Sequence, residues 1–186
     1  MTKNFKNIIT YIVTVIAVTM FFSCESNFKE VQKLNQKKFL ATGQADTINL
    51  VYTDSGKVKV ILVSPKMIDY GSLENPYTEF PKGIRVTIFD DNENKSYVDA
   101  DYAVSYKKTA LIDLQGNVRI TTSDGGLLET EQLYYDQKNE WFFTEKFFKY
   151  SKSSGEFLQG PGVDFNKDFT VFNMQKGNGA YDDLDK

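Results

Sequence analysis

Histidine is absent from the chain, and cysteine occurs once, at Cys24. The first absence removes the commonest general base and a frequent zinc ligand. The second excludes a disulfide or a thiolate metal cluster within the chain. Positive charge is also short, with 22 Lys and Arg against 25 Asp and Glu, a net of −3. Residues 1–23 contain two of the lysines, Lys3 and Lys6, and no acid, so the remainder holds 20 basic and 25 acidic side chains, a net of −5. A body of that sign does not wrap nucleic acid, which needs a basic face. Nor does it hold an anionic headgroup by net charge alone. No Walker-type phosphate loop is present, and nothing in the sequence calls for a cofactor, a metal or a catalytic residue. No amphipathic helical pattern exceeds two turns, so helix-rich and α/β folds are poorly supported.

What the chain does have is aromatic side chains, 15 % of residues, in short alternating runs of the kind that strands favour. The stretch Leu114–Asp136 sets the pattern. Gly116-Asn117 is a turn, Val118, Ile120 and Thr122 share one face of a strand, Asp124-Gly125-Gly126 is a hairpin, and Leu133 and Tyr135 share a face of the next strand. Similar runs start at Thr47, Lys57, Ile84, Ser96, Ala110 and Glu140, and a last one covers Phe169–Met174. Pro65 is expected to end its strand, and 66–82 reads as irregular. Turn signals every 8–16 residues mark an all-β sandwich or barrel.

At the N-terminus, Lys3 and Lys6 precede an uncharged run, Asn7–Ser23, whose core is Ile8–Phe22. A basic flank, an apolar core and Ser23 before Cys24 form a secretory signal. Phe21-Phe22-Ser23-Cys24 resembles a bacterial lipobox, in which the cysteine is lipidated and becomes the mature N-terminus; Phe21 stands where leucine is usual. The competing reading is an uncleaved anchor, since the run sits near the lower length limit for a spanning helix. Both put the body outside the cytoplasm and tether it to a membrane. The expected organisation is a signal or anchor at 1–23, a polar tether at 24–45, a β-domain at 46–178 and an acidic tail at 179–186.

Several segments together resemble the LptC family of lipopolysaccharide export and its LptA and OstA-like relatives. They are Phe80-Pro81-Lys82-Gly83-Ile84, Asp99-Ala100-Asp101-Tyr102-Ala103, Leu114-Gln115-Gly116-Asn117-Val118, Leu128–Asp136 and Gly160-Pro161-Gly162-Val163. Their order and spacing carry the likeness over about residues 45–178. It implies an open β-jellyroll of two antiparallel sheets, with a slot for lipid A acyl chains. It also implies strand pairing at both ends, with the jellyrolls of the inner-membrane ABC transporter and with an LptA-like periplasmic bridge protein. A family glycine ahead of the final strands matches Gly160. Well-known members keep a membrane helix, whereas this chain has Cys24 in lipobox context.

On that reading the chain is a non-enzymatic lipid carrier on the periplasmic side of the inner membrane. Val58, Val60, Ile84, Val86, Ala100 and Tyr102 are expected to line the slot from the early strands. Ile112, Leu114, Val118 and Ile120 follow from the central strand, and Leu133, Tyr135, Phe142 and Phe148 from the later ones. Phe169 and Val171 are expected on the outgoing edge, where unpaired backbone can recruit a partner strand. One rival is a glycan-binding surface lipoprotein stacking sugars on Tyr134, Tyr135, Trp141, Phe142 and Phe143, although alternation sends neighbours to opposite faces. Another is a hydrolase built on Glu129 and Glu131.

Overall fold

The structure, a computed structural model, describes residues 41–180. Cys24, the apolar run before it and the tether up to residue 40 lie outside the described residues. Twelve strands form one continuous antiparallel sheet. They are β1 (Gly43–Asp54), β2 (Lys57–Asp69), β3 (Tyr77–Phe80), β4 (Ile84–Phe89), β5 (Lys95–Ala100), β6 (Tyr102–Tyr106), β7 (Leu111–Thr121), β8 (Leu127–Asp136), β9 (Trp141–Ser151), β10 (Phe157–Asn166), β11 (Phe172–Met174) and β12 (Asn178–Ala180). The pairs β3/β4, β5/β6 and β11/β12 each run in one direction against a single neighbour, so the twelve strands make nine passes of an up-and-down meander.

Every pass is folded over at mid-length, which turns one sheet into two facing layers. The first layer holds β4, β5 and β12, with one half of each long strand. The second holds β3, β6 and β11, with the other halves. The fold line is readable from the spacing of inward residues. Ser64 and Met67, Ala100 and Ala103, Thr130 and Leu133, and Gly160 and Val163 are three apart on alternate passes, whereas Phe80 and Ile84, Leu114 and Val118, and Thr144 and Phe148 are four apart on the passes between. The ladder slips by one residue at this line in β7/β8, β8/β9 and β9/β10, and such irregularities bend strands sharply. Gly83 lies at the corner with φ +81, and a Cβ there would sit 2.6 Å from the Ala100 carbonyl, so no other residue fits without displacing backbone. The buried Ser64 hydroxyl donates to the Gly83 carbonyl at 2.7 Å and ties the corner of β2 to that of β3/β4.

Three sequence expectations change here. Pro65 does not end β2, because it falls at the corner where β2 exchanges β4 for β3 and no ladder pair includes it. Residues 66–82 are therefore not irregular throughout, since 66–69 and 77–80 are strand. Ordered strand runs from Gly43 to Ala180, past both ends of the expected 46–178, because residues 178–180 pair with β10 at Phe157–Gln159 instead of belonging to a tail. The all-β, two-layer jellyroll itself stands.

Candidate functional site

Residues directly opposite in an antiparallel ladder point to the same side of the sheet. One such row crosses the whole first layer: Leu50–Leu62–Val86–Val98–Ile120–Leu128–Tyr150–Leu158. Its centre is closed, with Val98, Ile120 and Leu128 at 4 %, 2 % and 0 % exposure. Its first residue, Leu50, is 50 % exposed. The adjacent row Tyr52–Val60–Ile88 is also open at its ends, with Tyr52 at 62 % and Ile88 at 37 %. The interior thus begins, at the β1 end, as a bare apolar wall continuous with the core.

The opposite layer closes on an aromatic ladder, Ser105–Ile112–Tyr135–Phe142–Phe165–Phe172. Its rings stack in sequence, Tyr135 on Phe142 at 4.4 Å, Phe142 on Phe165 at 5.2 Å and Phe165 on Phe172 at 5.2 Å. At the β10 end the two layers leave a concavity lined by Tyr150, Lys152, Leu158, Phe169, Thr170 and Phe172. The interior is therefore filled in the middle, bare at one end and hollowed at the other.

Most of the residues expected in the slot face this interior. Ile84, Ala100, Leu114, Val118, Ile120 and Leu133 are buried in one cluster with Phe142 and Phe148, and Val86, Ile112 and Tyr135 pack against it. Val60 is half-buried and Val58 exposed, both on the bare wall. Burial holds the Tyr135 hydroxyl above the usual tyrosine range.

Tyr102 does not line the interior. Ala103 pairs with inward Leu114, so Tyr102, opposite Gln115, points outward. The corner at Asp101 reverses the alternation that joined it to Ala100. Its hydroxyl donates to Glu79 at 2.7 Å, and burial together with that bond raises its pKa. Phe169 and Val171 are not on the edge strand either. They fall in the turn between β10 and β11, and Phe169 packs inward, 4.7 Å from Phe165. The edge is formed by β11 and β12.

Sequence reasoning left Leu50 and Tyr52 off the wall, although they belong to a strand it had recognised; their phase follows only once β1 is paired with β2. The remaining groups are surface pairs. Glu129 is held by Arg119 at 2.8 Å within an outward row, Arg85–Asp99–Arg119–Glu129–Lys149, of alternating sign. Tyr134 and Phe143 stack on each other at 5.2 Å on the outer side of the second layer, while Tyr135 and Phe142 face in. The five aromatics considered for sugar stacking therefore do not share a platform.

In comparison with known families, the chain matches the family described as LptC: Lipopolysaccharide-assembly, LptC-related, over residues 9–182. No curated protein matches the chain. Among the described residues, no helix is long and apolar enough to cross a membrane.

Proposed function

The chain belongs to the LptC-related family of lipopolysaccharide assembly, and on that premise we propose that it carries lipid A acyl chains between its two layers, as a passive relay. The family is a transport component of lipopolysaccharide export, associated with the periplasmic side of the inner membrane. The observation that supports the finer reading is the bare inner wall of Leu50, Tyr52, Val58, Val60 and Ile88, continuous with a dry core. Each methylene exposed to water costs about 0.8 kcal/mol, so a chain laid on this wall recovers much of what it loses on leaving the bilayer.

Among the described residues, β1 pairs only with β2, and β11 and β12 only with β10, which supports docking by strand addition at both edges. The incoming side would meet the transporter's periplasmic jellyrolls, and the outgoing side an LptA-like bridge. Lipidated Cys24 or a retained helix would tether the domain. The work of transport would come from ATP hydrolysis by the transporter.

The test is native mass spectrometry of protein extracted from membranes. Wild type should retain lipopolysaccharide, and the Leu50→Asp/Tyr52→Asp double variant should lose it with its fold intact. Equal retention by both would reject the wall. Affinity should change little with ionic strength, because apolar burial dominates; a steep loss on adding salt would point instead to headgroup recognition.

A further inference from the structure

The two ends of the interior differ in how the layers are joined. Among the described residues, the ring contacts between layers all bring Phe148 or Tyr150 of the first layer against Phe169 or Phe172. They all lie at the β10 end. Phe172 is fixed in β11, whereas Phe169 rides on a short turn. Its ring lies 5.9 Å from Tyr150 and 4.7 Å from Phe165, so it bridges both layers at the concavity it helps to line.

The backbone at Phe169 has φ +57. A bulky aromatic in the left-handed region is strained and persists only where its surroundings impose it. Here a clamp imposes it. The Asn166 carbonyl accepts from the Phe169 N–H at 3.0 Å, the Asn166 side chain joins Thr170 Oγ1 at 2.6 Å, and its Oδ1 accepts from the Val171 N–H at 2.9 Å. Lys167 pins the base of the turn to Glu140 through its N–H to the Glu140 carbonyl at 3.0 Å and its ammonium at 2.6 Å. The strained residue is thus the one that bridges the layers beside the concavity, on a turn anchored at its base.

We propose that Phe169 is a latch over the β10 end of the slot. The ring swings out from between Tyr150 and Phe165 to let an acyl chain pass, and relief of the left-handed backbone offsets part of the lost packing. This rests on the acyl-slot reading above. Chains pass the β10 end of the slot, in either direction, only when the latch opens.

Stopped-flow transfer of a dansyl-labelled fatty acid, with the single tryptophan Trp141 as energy donor, tests both levels on the full chain in detergent. Phe169→Gly removes ring and strain together. It should speed association and release alike, by about tenfold, while the dissociation constant moves by less than about threefold. Phe169→Asn, which tolerates the same backbone, should behave similarly and guards against a folding defect in the glycine variant. Unchanged rates in both variants overturn the latch, as does faster release without faster association, which would make the ring part of the binding surface. Absence of binding by the wild type overturns the acyl slot itself, and the latch with it.

Discussion

Leu50 and Ile120 stand in the same cross-strand row on the same side of the sheet, yet one is 50 % exposed and the other 2 %. The interior is therefore a single surface that is covered at its centre and uncovered at one end. A closed sandwich would bury both residues.

That asymmetry separates stability from binding. Ile120→Ala empties a filled site and should cost about 2–5 kcal/mol. Leu50→Asp changes an already wet position and should cost about 0.5 kcal/mol or less. Urea denaturation reads the first difference, and lipopolysaccharide retention should show the reverse order, with Leu50→Asp the more damaging.

Gly160 has a structural task. A Cβ there would lie 2.0 Å from the Lys176 carbonyl oxygen and 2.9 Å from the Gly177 Cα, both backbone. Gly160→Ala must therefore push away the connection between β11 and β12. The expected cost is about 1–3 kcal/mol, with hydrogen-exchange protection lost first at residues 178–180. Unchanged protection there would show that the connection yields without strain.

Much of this was legible from the sequence, and the exceptions share one cause. Alternation put Phe142 and Phe148 inward, with neighbours such as Trp141 and Phe143 on the opposite face; β9 keeps its phase through the corner, with Thr144 and Phe148 four positions apart. The same rule misplaced Tyr102, because its pass breaks phase at Asp101. Glycine and asparagine marked the corner at Gly116-Asn117, where both residues have positive φ. At Pro65 a residue that ordinarily stops a strand sits where the ladder is already interrupted. The openness of the β1 wall could not be read locally, since Leu50 and Leu128 are both leucines in alternating runs. What differs is how many strands lie beyond each.

The outgoing edge gives a separable prediction. Gln175 N–H donates to the Gly162 carbonyl, and the Val171 carbonyl accepts from Asn166 N–H. Alternation then turns the N–H of Met174 outward, away from β10. Met174→Pro removes a docking donor while keeping the bonds to β10. Copurification of an LptA-like partner should fall sharply, with thermal stability within a few degrees of wild type; undiminished copurification would place the outgoing contact elsewhere.

Alkaline pH should destabilise the fold. Tyr70, Tyr102, Tyr106, Tyr134 and Tyr135 are all shifted upward, in each case chiefly by burial. The folded chain thus holds protons that the unfolded chain releases near pH 10. Their contribution is complete below that pH and is lost as pH rises through the folded values. Tyrosinate absorbance should lag in the native protein and appear together with unfolding. Titration of all eleven tyrosines near pH 10 in a still-folded protein would contradict the upward shifts of these five.

The central claim is that fatty chains lie against the inner wall of the first layer, at the β1 end. Photocrosslinking amino acids placed singly at Tyr52 and at Val51, adjacent residues on opposite faces of β1 and both more than half exposed, test it in living cells. The account predicts lipopolysaccharide adducts from Tyr52 and none, or far fewer, from Val51. Equal yields from the two positions, or adducts from Val51 alone, would contradict it.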